Sequence, residues 1–194
     1  MSTLDYYNEH AHDFIANTVS ADFQSIQAKF LSYLIPGVEI LDFGCGSGRD
    51  AKYFMEHGYH VTAIDGSAEL CRLASEYTGL TVNQMMFQEL SDVNIYDAVW
   101  ACSSILHLPY QELKQVLEKI EKALKPRGVL YTSFKYGTFE GERNGRYFTD
   151  MTEESFEEML QGIKNLAVEE QWITSDVRSG RSEEKWLNSI LRKM

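Results

Sequence analysis

Glu39-Ile40-Leu41-Asp42-Phe43-Gly44-Cys45-Gly46-Ser47-Gly48 is the stretch on which the fold turns. A short apolar run enters three alternating glycines, and a helical pattern follows over 49–57, with Phe54 and Met55 inward and Gly58 as its stop. Short apolar runs that end in glycine read as buried strands. Glycine admits positive φ and lets a ligand approach the backbone where a Cβ would otherwise stand. The helix behind the loop offers unpaired N–H groups. In an open α/β sheet, ligands settle beyond the carboxyl ends of the strands, where the strand order reverses. The loop 44–48 is the first candidate for that crevice.

The same alternation continues outward. Strands are predicted at 59–65, 80–86, 97–102 and 129–134. Between them lie a helix capped by Ser67 and ended by Gly79, and a long helix after Pro109 built on Leu113, Val116, Leu117, Ile120 and Leu124. Upstream, Leu4 to Ile15 and Phe23 to Leu34 each have helical spacing, broken by Pro36 and Gly37. Residues 135–151 are polar and glycine-dotted and read as a surface loop. A helix over 152–162 and strands at 166–175 and 186–192 complete the chain. Strands alternating with helices imply a parallel sheet covered on both faces. The link 176–184 is too short and polar for a packed crossover helix, so one strand near the end is expected to run antiparallel.

Asp65 closes the second strand, about 20 residues beyond the first glycine, where a carboxylate can accept from both hydroxyls of a ribose. Its competing reading is a turn cap with Gly66 and Ser67. Strand, glycine loop and acid also suit a nicotinamide enzyme. The spacing here is G-x-G-x-G, however, and Arg49 stands where the dinucleotide fingerprint needs its third glycine.

Residues 39–48, with Asp65, resemble the cofactor loop and second-strand acid of class I S-adenosylmethionine-dependent methyltransferases. The likeness extends through Tyr96-Asp97-Ala98-Val99-Trp100 and Leu124-Lys125-Pro126-Arg127-Gly128, covering roughly residues 35–135. A narrower likeness, in Phe87-Gln88-Glu89-Leu90 and Trp100-Ala101-Cys102-Ser103-Ser104, is to compact bacterial enzymes of the small-molecule and tellurite-resistance type. The resemblance implies a Rossmann-like three-layer α/β sandwich with a seven-stranded, mostly parallel sheet of order 3-2-1-4-5-7-6, strand seven antiparallel. It implies one methyltransferase domain over 1–194, with the N-terminal helices (about 1–35) as a lid.

Residue by residue, the resemblance implies that Gly44, Cys45 and Gly46 lie against the cofactor's amino-acid part, that Gly48 belongs to the same cofactor-binding loop and that Asp65 holds the ribose. Asp42 would orient the cofactor amino group. Gln88 or Glu89 would meet the adenine unless they are loop surface, and the backbone at Ala101 and Cys102 would approach the methionine end. His107 is the candidate base or acceptor contact, against a structural role at a helix start. Tyr6, Tyr7 and Phe14 are lid candidates, against plain helix packing. Arg146 and Tyr147, in the loop after the fifth strand, are acceptor candidates, Arg146 through bidentate hydrogen bonds to an anion or else as an exposed cation. No metal is implied.

Composition narrows the partners. The chain has 29 acidic against 18 basic residues, a formal charge of -11, which disfavours nucleic-acid backbones as partners. No Asn/Asp-Pro-Pro-Tyr/Phe turn follows the fourth strand, which disfavours DNA methylation. The expected activity is methyl transfer from S-adenosylmethionine, leaving S-adenosylhomocysteine, to a small-molecule acceptor. The alternatives are a protein or RNA acceptor, or a non-catalytic cofactor-binding regulator. Three cysteines with no metal-ligand spacing, no signal-like N-terminus and no long apolar run suggest a cytoplasmic protein without a membrane span.

Overall fold

The computed structural model describes residues 2–178 and 180–194. Its main sheet contains β1 (Glu39–Phe43), β2 (His60–Asp65), β3 (Asn83–Gln84), β4 (Tyr96–Ala101), β5 (Leu124–Lys135), β8 (Leu166–Ser175) and β9 (Lys185–Lys193). A separate hairpin pairs β6 (Glu140–Arg143) with β7 (Arg146–Thr149). The sheet order is β3-β2-β1-β4-β5-β9-β8. Leaving the hairpin out of the numbering, this is the expected 3-2-1-4-5-7-6. The pairs from β3 to β5 are parallel, and β9 runs antiparallel to both β5 and β8. Strand order reverses between β1 and β4, so their carboxyl ends open the crevice that the glycine loop enters.

Period-two alternation splits the strands between two apolar layers. Leu41, Phe43, Val99 and Leu130 pack with α6 (Tyr110–Ala123) and α7 (Glu153–Leu160). Ile40, Ala98, Trp100 and Tyr131 pack on the other face with Phe30 of α3 (Gln24–Leu31) and Phe54 of α4 (Arg49–Glu56). Trp100 and Tyr131 stack with centroids 4.0 Å apart, and both are fully buried. The remaining helices are α1 (Thr3–Glu9), α2 (Ala11–Thr18) and α5 (Ala68–Thr78), whose cap Ser67 accepts from the Leu70 N–H.

Three sequence expectations change. The first helical stretch, 4–15, is divided at His10, where φ/ψ of -111°/18° leave the helix and the imidazole bonds the Tyr6 carbonyl. The third strand shrinks from 80–86 to Asn83–Gln84, because both polar residues sit exposed at the sheet edge. The loop 135–151 contains a hairpin that turns at Asn144-Gly145 with φ of +53° and +75°. Asn-Gly suits such a turn because both central residues need positive φ.

Candidate cofactor and acceptor site

Beyond Phe43 the chain turns through Gly44, Cys45 and Gly46. The N–H groups of Gly44 and Cys45 both donate to the Ile64 carbonyl, at 3.0 and 2.9 Å, fixing the loop to the end of β2. Gly44 has φ +87°, and a Cβ built on it would lie 2.6 Å from that of Ser104. At Gly46 (φ +54°) a Cβ would meet the Phe14 ring at 3.0 Å. The cradle therefore needs glycine for its backbone shape and for the approach of neighbours from two sides. Gly48 is the left-handed N-cap of α4 and lies behind the loop, against α5.

Asp65 faces this cradle. One carboxylate oxygen accepts from Gly46 N and the other from Ser67 N, both at 2.9 Å. Burial raises its pKa against these backbone donors. The turn-capping role and an outward-facing role coexist, since two N–H bonds leave carboxylate lone pairs free. Asp42 is buried beneath the loop, its Oδ2 without a hydrogen-bond partner among the described residues. Burial and the nearby Asp50 push its pKa well above the usual carboxylate range. Burial likewise pushes the Cys45 thiol up, leaving it a poor nucleophile.

Gly44, Cys45, Gly46 and Asp65, but not Asp42, open on a cavity of about 370 Å³. Gly44, Cys45, Gly46, Asp65, Met86, Phe87 and Gln88 line one part of it, and Cys102, Ser103, Ser133, Asp176, Arg178 and Trp186 another. Gln88 borders the space while its amide donates to Glu112 at 2.7 Å; Glu89 is exposed and its carboxylate caps the Met86 N–H. Ala101 is wholly buried at the end of β4, and Cys102, the next residue, lines the wall. Burial raises the Cys102 thiol to about 12. Ser103 adopts φ +51°, an uncommon conformation for a residue with a Cβ, and its N–H donates to the Ser133 hydroxyl at 2.9 Å.

The N-terminal helices close one side. Leu4, Tyr7 and Phe14 line the cavity, whereas Tyr6 stacks on His10 outside the lining. Asn8 of α1 accepts from the Ser67 hydroxyl at 2.7 Å, and Thr3 accepts from Tyr147 N at 3.0 Å. The helix is thereby tied both to the start of α5 and to the hairpin. The Tyr147 ring points to Glu140, and its carbonyl is the part that reaches the site.

His107 sits at the junction. The Tyr147 carbonyl, 2.6 Å from Nδ1, can only accept, so Nδ1 carries the proton and Nε2 accepts from the Tyr7 hydroxyl at 2.8 Å. Burial, helped by the Arg146 guanidinium, lowers its pKa to about 4. The imidazole is therefore neutral near pH 7, and its one lone pair is already taken by Tyr7. This favours a role in orienting Tyr7 over direct proton abstraction. A pH dependence follows. An unfolded histidine protonates below about 6.5, whereas this one resists until about 4. Stability is thus fully present above pH 6.5 and is lost as pH falls through that window. Urea titrations should show about 1–2 kcal/mol less stability at pH 5 than at pH 7 from this group, a loss absent from His107→Gln. Equal pH slopes in both proteins would count against the neutral imidazole.

Sequence reasoning missed a buried network at the start of α4, where Arg49 and Asp50 also border the cavity. Asp50 accepts from Gln27 and Arg49, both at 2.7 Å, and from the Trp100 indole at 2.8 Å. Arg49 also lies 3.9 Å from the centre of the Phe23 ring. Nothing in the spacing joins Gln27 to Trp100, or either of them to Asp50. The wall residues Asp176 and Arg178 were equally hidden in a polar link, and nothing in the pattern of strand 186–192 directs Trp186 to the cavity.

A methyltransferase-domain family model matches residues 40–128. The ubiquinone biosynthesis O-methyltransferase of Rickettsia conorii is 32% identical over 115 residues, 56% of this chain and 39% of that protein. The chain thus spans about two fifths of the length of that curated relative. Among solved structures, the 1,6-didemethyltoxoflavin-N1-methyltransferase of Burkholderia thailandensis, with 1,6-didemethyltoxoflavin and S-adenosylhomocysteine bound, superposes with TM-score 0.79 at 22% identity. That match covers 98% of this chain and 86% of that one. The [4+2]-cyclase SpnF also shares the fold, with TM-score 0.74 and 16% identity, over 98% of this chain and 94% of that one. In its sheet order, and over residues 40–128 in its sequence, the chain is thus similar to methyltransferase domains.

Proposed function

We propose that the chain binds S-adenosylmethionine and transfers its methyl group to a small-molecule acceptor. One observation carries the reading: the glycine cradle and Asp65 face the same cavity as Cys102, Ser103 and Ser133 at the ends of β4 and β5. The residues present fit the cofactor. Gly44 and Gly46 leave open backbone and Asp65 retains acceptor capacity for a ribose, whereas Asp42 lies beneath the loop, outside the cavity lining, and any role toward the cofactor amino group would be indirect. When bound, the cofactor would supply a methyl group already activated for transfer by its sulfonium, leaving S-adenosylhomocysteine once the acceptor takes it.

The protein's task is then alignment and exclusion of water. Leu4, Tyr7 and Phe14 cover the cavity, and the Tyr7–His107 bond holds α1 down. Cys102 and Ser103 form the wall beside the acceptor, with the strained Ser103 backbone pinned by Ser133. Gln88, on the cavity wall, would border the adenine, while Glu89 acts through the Met86 turn. A cavity covered by its own N-terminal helices favours a small acceptor over a protein or RNA site. We read 1–194 as one domain, with residues 1–35 as the lid. The free thiols of Cys45, Cys71 and Cys102 support a reducing, cytoplasmic setting. No helix among the described residues is long and apolar enough to cross a membrane.

Calorimetric titration with S-adenosylmethionine, S-adenosylhomocysteine and NADH tests this reading. Binding of both sulfur compounds and not NADH is expected. Folded protein that binds neither sulfur compound overturns it. Binding without turnover across a broad acceptor screen would instead support a regulatory binder, a relevant outcome since the fold is shared with an enzyme named as a cyclase.

A further inference from the structure

Arg49, Lys135, Arg146, Arg178 and Arg181 all face the cavity. Four of these cations meet carboxylates of the chain: Arg49 on Asp50, Arg178 on Asp176, and Lys135 and Arg181 on Glu184. Arg146 meets none among the described residues, in a chain with 29 acidic groups. Its Nε is closed off from solvent and has no hydrogen-bond partner there, and one terminal nitrogen makes only a 3.4 Å contact to the Tyr7 oxygen. Arg143, its partner across the hairpin, pairs with Asp150 at 2.6 Å. The hairpin therefore gives one arginine a carboxylate and leaves the other without one.

Aromatic rings hold the Arg146 guanidinium in place. Its central carbon lies 4.7 Å from the Tyr6 ring centre, 5.2 Å from that of Phe148 and 5.8 Å from that of Tyr7. Ring faces stabilise the positive charge but leave the in-plane N–H groups unfilled. Idle donors withdrawn from water are costly, and a planar fork of N–H groups matches the two oxygens of a carboxylate. The neighbouring His107 is neutral and leaves the field to one cation. We infer that the methyl acceptor carries a carboxylate and that Arg146, clamped between α1 and the hairpin, binds it. This rests on the methyltransferase reading. Because Tyr6 and Tyr7 belong to α1, the anion site is complete only with the lid in place.

The test uses full-length protein saturated with S-adenosylhomocysteine and titrated calorimetrically with two matched pairs, 4-hydroxybenzoate against 4-hydroxybenzamide and succinate against succinamide. At least one acid should bind about tenfold or more tighter than its amide. R146Q should erase that preference, R146K should keep part of it, and S-adenosylhomocysteine affinity should stay within about twofold in both. Acids and amides that bind alike, or not at all, overturn the inference, as does a preference that survives R146Q. A tenfold loss of S-adenosylhomocysteine affinity in R146Q also overturns it, by assigning the guanidinium to the cofactor's own carboxylate. Failure of the methyltransferase reading is seen separately, as absence of S-adenosylhomocysteine binding before any acid is added.

Discussion

Asp65→Ala is expected to weaken S-adenosylmethionine binding by about 1.5–3 kcal/mol, the worth of hydrogen bonds to a charged group, or roughly tenfold or more in Kd. Two effects add. The free lone pairs that would take the ribose hydroxyls disappear, and Gly46 N and Ser67 N lose their acceptor, so the cradle itself loosens. Asp65→Asn separates them, because it keeps the side-chain shape but offers one acceptor oxygen in place of two. It should fall between wild type and alanine in affinity. Calorimetry on protein shown to be folded by circular dichroism is the measurement. Wild-type affinity in Asp65→Ala would remove the ribose assignment and leave only the turn cap.

Gly44→Ala should do more damage than its single added methyl suggests. The residue would be held at φ +87°, costing about 1–2 kcal/mol for a side chain in the left-handed region. Its Cβ would also stand 2.6 Å from that of Ser104, whose hydroxyl is itself tied to the Phe43 carbonyl at 2.6 Å. Overpacking of this kind costs a further ~1–3 kcal/mol. The combined loss of stability should be about 2–5 kcal/mol, with cofactor binding abolished because the cradle must shift. Gly58→Ala is the control. Its φ of +83° is similar, but nothing lies within 4 Å of the added atom. It should lose only about 1 kcal/mol and bind cofactor normally. Urea unfolding and titration of both variants decide the matter. Equal losses would mean that backbone strain alone accounts for Gly44.

At His107 the sequence supplies the residue and the fold supplies its partners. A histidine following β4 is visible in the sequence, and its type suggests a base. Only the fold brings the Tyr147 carbonyl to one nitrogen and the Tyr7 hydroxyl to the other, across 40 and 100 residues of chain. Those two bonds and the burial around them decide its protonation. Glu89 illustrates the opposite limit. Its place after the third strand is legible, but a turn of three residues sends Gln88 to the cavity and Glu89 to the Met86 N–H.

By itself the sequence determined the alternating strands and helices, the glycine cradle with Asp65, and the antiparallel strand near the end. These are local properties: hydrophobic period, glycine spacing, and a link too short to cross over. It also contained the hairpin signal at Asn144-Gly145, overlooked because the surrounding residues are polar. The tertiary structure alone decided which distant groups meet. Gln27, Asp50 and Trp100 converge because α3 and α4 pack on the same face of the sheet. Arg146 reaches Tyr6 and Tyr7 because the hairpin folds under α1, and it stays without a carboxylate because none of the chain's described acids is carried there. Contacts between residues far apart in sequence depend on packing geometry, which no local pattern encodes.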